Sequence, residues 1–188
     1  MTKKRCPWAE GDSLSRAYHD EEWGVPLHDD IKLFEFLILE GMQAGLSWVI
    51  ILKKRDSLRR AFDNFAPERV AAYDRPKEEE LLRDKGIIRN RRKIQAAVSN
   101  AKSFLDIRRG YGSFDAFIWS FVGRKPKRNS WKRLKDIPAA SPESEAMSLS
   151  LKKHGFKFVG PTICYAFMQA VGMVNDHLVD CFRYDEIS

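Results

Sequence analysis

The sequence predicts an all-α protein. Three observations lead there: apolar residues recur at helical spacing along most of the chain, no region sustains period-two alternation, and cap and stop residues bracket the periodic segments. The 188 residues suffice for one domain, 1–188, with a real core, and a hydrophobic share of 44% makes it globular rather than disordered.

Each element can be justified in turn. "SLSRAYHDEEWG" opens a first helix that carries His19. "DDIKLFEFLILEGMQAG" begins at a capping Asp and is apolar on nearly every side, which marks a buried helix. "SWVIILKKRDSLRRAF" follows, with Ser47 as its expected cap, and "PKEEELLRDKG" is expected to stop at Gly86. "NRRKIQAAVSNAKSFLDIRRG" places Ile94, Ala97, Val98, Ala101, Phe104 and Leu105 on one stripe. "SFDAFIWSFVG" is a short helix between Ser113 and Gly123. The basic, proline-containing segment 123–140 reads as a surface loop. "SPESEAMSLSLKKHG" puts Pro at the first helical position after Ser, and "GPTICYAFMQAVG" runs from Gly-Pro to Gly172. The total is roughly eight to ten helices.

Charge and cysteine usage narrow the function classes. Lys and Arg number 33 against 26 Asp and Glu, for a net charge of +7 and a pI near 9.4. Such a balance suits a polyanionic partner, nucleic acid first, although ordinary basic composition also accounts for it. No apolar run reaches the ~18 residues of a membrane span, and the basic start lacks the apolar stretch of a secretory signal. Three cysteines, Cys6, Cys164 and Cys181, are too few and too odd in number for a disulfide framework, which points to the reducing cytoplasm.

"VNDHLVDCF" places His177 and Cys181 four residues apart, on one face if the segment is helical, as two ligands of one metal would be. Cys6 and His19 are the best remaining partners, completing two Cys and two His for tetrahedral zinc. The alternative is a packed histidine with unligated thiols. Cys164, mid-helix among apolar residues, reads as core. "LKKHGFKFVGPTICYAF" joins two helices through a short turn bounded by Gly155 and Gly160, with Lys152, Lys153 and Lys157 around it. That combination suits a helix–hairpin–helix grip on phosphates, and equally a plain helical hairpin with solvated lysines. Arg89, Arg91, Arg92 and Lys93 form a second basic patch, either a backbone contact or a solvated helix start. Glu40 interrupts an apolar helix, and a buried carboxylate needs a partner or a function. With Trp48, Tyr18 and Trp23 it suits a flat, polar or cationic ligand such as a nucleobase. Pairing of Glu40 with a nearby base, and aromatics in the core, is the competing reading.

Six stretches together, "CPWAEGDSLSRAYHDEEWGVP", "LEGMQAGLSWVIILKKR", "GIIRNRRKIQAAVSNA", "WSFV", "LKKHGFKFVGPTICYAFMQAVGMVNDH" and the closing Cys181, resemble the 3-methyladenine DNA glycosylase I family. The match runs in order from Cys6 to Cys181. The resemblance implies the helix–hairpin–helix DNA glycosylase fold and one structural zinc per chain, held by Cys6, His19, His177 and Cys181, joining the terminal segments. It implies that Glu40 bonds the excised base beside Tyr18 and Trp48, with Trp8 and Trp23 in the same substrate pocket. Gly45 and Leu46 fall where the family fills the gap left by the extruded nucleotide, and Gly155, Lys157, Gly160 and Arg92 are the expected DNA contacts. The implied substrate is double-stranded alkylated DNA, handled by a monomer. Asn175 stands where many related glycosylases carry a catalytic Asp, and Pro161 and Thr162 where strand-cutting relatives carry a Lys, so a monofunctional enzyme is expected. One departure is Asp12-Ser13-Leu14-Ser15, where the family's usual aromatic is replaced by Ser15.

Overall fold

The computed structural model describes residues 3–187. Among them are ten α-helices: α1 (Ser13–Glu21), α2 (Asp30–Gln43), α3 (Trp48–Ala61), α4 (Pro67–Ala71), α5 (Arg75–Arg83), α6 (Arg91–Tyr111), α7 (Phe114–Trp119), α8 (Pro142–Lys153), α9 (Pro161–Ala170) and α10 (Arg183–Glu186). Caps fix most starts. Asp12, Asp29, Asp74, Asn90 and Ser113 each accept a backbone N–H of the first turn, and Ser141 forms a reciprocal capping box with Ser144. Each such cap stabilises its helix by about 1 kcal/mol. None of these helices is long and apolar enough to cross a membrane.

α2 is the central rod. Ten successive residues from Leu33 to Met42 are buried, and the helix packs on α3, α6, α7 and α9. The α6 stripe faces the same core, with Ile94, Ala97, Val98, Ala101 and Phe104 buried and Leu105 half-buried at its edge. Gly172 closes α9 at φ +72°, and a Cβ there would lie 2.4 Å from the backbone of Val25 and Pro26, so this approach of two chain segments requires glycine.

Several expectations are corrected. Ser47 stands at the start of α3, but its side chain caps nothing. α5 ends at Arg83, where extended Asp84 breaks it, two residues before Gly86. α4 and α10 span one turn each, too short for periodicity to reveal. Segment 123–140 is no free loop: β1 (Lys127–Arg128) pairs in parallel with β2 (Val174–Asn175), and Trp131 accepts the Val179 N–H on its carbonyl. His177 and Cys181 do not lie on a helix. The backbone of 176–182 is irregular because its N–H groups go elsewhere: His177 to Asn175, Leu178 to the Cys6 sulfur, Phe182 to the Lys4 carbonyl.

Candidate active site and metal centre

The chain ends meet at a buried cluster. Cys6, His19, His177 and Cys181 are all buried and their donor atoms lie within 4.8 Å of one another. Cys6 arrives just before a 3₁₀ turn, His19 on α1, and the other two on the irregular tail. Cys181 Sγ lies 3.4 Å from His19 Nε2 and 3.5 Å from His177 Nδ1, and Cys6 Sγ lies 3.8 Å from His177 Nδ1. Four ligands at Zn–S and Zn–N lengths would stand about 3.6 Å apart at the corners of a tetrahedron, so the donors are spaced to hold one metal ion. The outward nitrogens fix the rings. His177 Nε2–H donates to the Trp23 carbonyl at 3.0 Å, which leaves Nδ1 as the inward lone pair. His19 Nδ1 bonds Asp20 at 2.8 Å, and Asp20 is clasped in turn by the Arg5 guanidinium. The neighbouring Cys181 pushes the Cys6 thiol far up, and the neighbouring Cys6 pushes Cys181 far down, with His177 and His19 adding to the latter.

One ring away lies a cavity of about 380 Å³. All five residues expected at a base pocket line it: Trp8, Tyr18, Trp23, Glu40 and Trp48. Trp8 meets Trp23 edge-on at 5.0 Å and His19 at 5.3 Å, and Trp23 meets His177 at 4.6 Å, so the two indoles serve as cavity wall and as jacket of the cluster. Tyr18 and Trp48 lie 5.3 Å apart.

Two glutamates on α2 show what is unusual about this pocket. Glu35 is buried and paired, accepting from Arg55 Nε at 2.8 Å and from Arg59. Glu40 is 4% exposed, and no hydrogen bond from a described residue reaches its carboxyl. Burial alone pushes it up to about 8. Burial, then the Glu40 charge, pushes the Tyr18 hydroxyl well above its ordinary value. Trp48 Nε1 is buried without a partner. The pairing alternative for Glu40 thus belongs to Glu35.

Residues that sequence reasoning missed complete the lining. Thr162, Tyr165, Ala166 and Gln169 present one face of α9, Gln43 ends α2, and Leu134 and Ile137–Ala139 come from the segment taken for a wet loop. The polar residues of "TICYAFMQA" at one-turn spacing were the available signal for α9. Ser15 adds no wall; its hydroxyl bonds Asp12 at 2.7 Å. Asn175 donates to the carbonyls of Tyr184 and Ile187, which ties down the tail.

The expected DNA contacts fall into separate places. Gly45, at φ +79°, turns the chain so that Leu46 stands 37% exposed. Arg92 and Lys157 share one groove with Gln95, Ser99 and Phe158. Asn100 clamps the hairpin, donating to the Lys157 carbonyl at 3.0 Å and accepting its N–H at 2.7 Å. In that hairpin the left-handed residues are Gly155 and, at φ +53°, Phe158, whereas Gly160 is an ordinary residue with open space beside it. Lys152 and Lys153 are exposed there. The second basic patch divides. Arg91 pairs with Glu79, Arg89 lines a groove with Leu46, and Lys93 turns inward to donate to the carbonyls of Met42 (2.8 Å) and Ala44 (2.6 Å). Those carbonyls end α2, where a cation is favourable.

Comparison with known proteins identifies the family. A family model described as methyladenine glycosylase matches residues 8–184. The chain is 51% identical over 181 residues to DNA-3-methyladenine glycosylase 1 of Escherichia coli (strain K12), covering 96% of this chain and 97% of that one. A crystal structure of 3-methyladenine DNA glycosylase I superposes with a TM-score of 0.93 at 52% identity, covering 95% of this chain and 98% of that one. A Staphylococcus aureus 3-methyladenine DNA glycosylase I, solved for the structural basis of 3-methyladenine recognition, superposes at 0.92 with 38% identity and covers 95% of each chain. The chain belongs to the methyladenine glycosylase family.

Proposed function

We propose that the protein is a DNA glycosylase that takes 3-methyladenine, swung out of alkylated duplex DNA, into the aromatic cavity and hydrolyses its N-glycosidic bond. The observation that carries this reading is Glu40, a buried carboxyl without a partner among the described residues, in a cavity walled by flat rings. The cavity volume is in the range of small-ligand sites. Adenine methylated at N3 is cationic in the nucleotide. When the C1′–N9 bond breaks, its electron pair goes to the purine and cancels that charge. Water adds to C1′ and gives one proton to solvent. Little acid catalysis is needed, so selective capture of the flipped base supplies most of the discrimination. Glu40 recognises the base, with Tyr18, Trp48, Trp8 and Trp23 as its walls. Among the described residues no lysine lines the cavity, which supports a monofunctional enzyme leaving an abasic site.

Outside the cavity, α8, the 154–160 turn and α9 act as a helix–hairpin–helix element on phosphates, with Gly155, Lys157 and Gly160 at the contact and Arg92 beside it. Leu46, on the turn made by Gly45, fills the vacated stack. Cys6, His19, His177 and Cys181 hold one zinc. A closed four-ligand site contributes folding energy rather than chemistry. Incubation with methylated duplex DNA tests the central reading: wild type releases free 3-methyladenine and Glu40→Ala does not. Duplex binding by wild type without any release would make it a DNA-binding module instead.

A further inference from the structure

Asp176 is buried at 1% exposure, yet no Lys or Arg pairs with it among the described residues. Its carboxylate instead accepts four neutral donors, each at 2.7 Å. Asn129 Nδ2 and Trp131 Nε1 reach Oδ1; Tyr165 Oη and Gln169 Nε2 reach Oδ2. An ionised carboxylate can only accept, so each of the four partners turns an N–H or O–H toward Asp176. Two of the donors sit on α9 and line the cavity; the other two belong to the segment that continues into the Leu134–Ala139 wall.

A carboxylate that takes the amide N–H of Gln169 decides which way that amide faces. Nε2 is turned to Asp176, and Oε1 is left without a protein donor on a residue that lines the cavity. Tyr165 gives its one proton to the same carboxylate, so toward any ligand its hydroxyl can only accept. At Gln169 and Tyr165 the α9 wall therefore offers acceptors. We propose that Asp176 is a positioning residue that makes Gln169 a specificity determinant, selecting purines with an amino group at C6 over purines with a carbonyl there. A ligand carbonyl would face acceptors and leave a buried group unsatisfied, and sites built for a hydrogen-bonding group reject analogues strongly for that reason.

This rests on the cavity being a methylpurine site, and the test separates the two. The affinities of free 3-methyladenine and of its 6-oxo counterpart, 3-methylhypoxanthine, are measured by fluorescence titration for wild type, Asp176→Asn, Gln169→Leu and Asn129→Ala. Wild type prefers the amino compound. Asp176→Asn, whose own amide lets Gln169 turn over, and Gln169→Leu, which removes the acceptor, each lower the preference at least tenfold. Asn129→Ala removes a donor on the far side of the same carboxylate and leaves the ratio unchanged. A ratio unaltered in both Asp176→Asn and Gln169→Leu, with 3-methyladenine still bound, overturns the inference alone; should Asp176→Asn fail to fold, Gln169→Leu decides it. Wild type that binds neither compound overturns the methylpurine reading and this inference with it.

Discussion

The metal cluster and the cavity share two indole rings and differ in one respect. In the cluster both sulfurs and all four ring nitrogens have a neighbour at bonding distance, and the second layer of Asp20, Arg5 and the Trp23 carbonyl is in place. In the cavity the Glu40 carboxyl, Trp48 Nε1 and Gln169 Oε1 have no partner among the described residues. In one region every polar atom has a close neighbour from the chain itself. The other is an incomplete hydrogen-bonding set that a ligand would finish. Rigidity on one side of Trp8 and Trp23 is what lets the other side stay open at fixed shape.

The largest effect should come from breaking the complete side. If the cluster holds the proposed zinc, Cys181→Ala or a chelator is expected to cost several kcal/mol, because binding free energy at such a site is folding free energy. Melting should fall by more than about 10 °C, while Cys164→Ala, outside the cluster, shifts it far less. Equal melting of the two variants would remove the contrast.

The next effect has the opposite sign and belongs to the open side. The Glu40 carboxyl sits at about 8 in the fold, against an ordinary value of 4.5 in the unfolded chain. The folded state therefore holds its proton more tightly, and stability falls as pH rises from 4.5 toward 8. Glu40→Gln should abolish that slope, stabilising the ligand-free protein by a few kcal/mol at high pH and hardly at all at pH 5. Denaturant midpoints at the two pH values check it. A gain in stability with loss of excision would mark Glu40 as kept for binding the base at the expense of stability.

Lys93→Met tests the turn between the two regions and the DNA side. It leaves the carbonyls of Met42 and Ala44 without their donor, at a cost of about 1–3 kcal/mol, and should slow excision from duplex while free 3-methyladenine binding changes little. The smallest effect is that of Arg92→Ala. It should weaken duplex binding a few-fold and lower the salt slope by about 1. An unchanged slope would take Arg92 off the DNA face.

What the sequence made legible was mostly local. Caps at Asp29, Asn90 and Ser141 and the α6 stripe follow from neighbours within a turn, and the structure has them. The five pocket residues and the four cluster residues also came together as expected. Yet His177 and Cys181 converge without the helix that motivated the pairing, because the tail backbone is tied to Cys6, Lys4 and Trp131. Asp176 drew no weight in the sequence, since its donors Asn129 and Trp131 lie 47 and 45 residues away. The wall at Leu134–Ala139 was hidden for the same reason: its seat depends on a two-residue bridge that no period reveals. The basic run 89–93 looked like one patch because charge is visible in sequence and side-chain direction is not.

The joining of the first residues to the last has a consequence for biosynthesis. On the ribosome Cys6 and His19 emerge long before His177 and Cys181. Until those two have emerged, the aromatic walls at Trp8 and Trp23 lack their latch, so a polypeptide that stops before Cys181 carries an unclosed cavity. Closure of the cavity thereby waits on synthesis of the chain as far as Cys181.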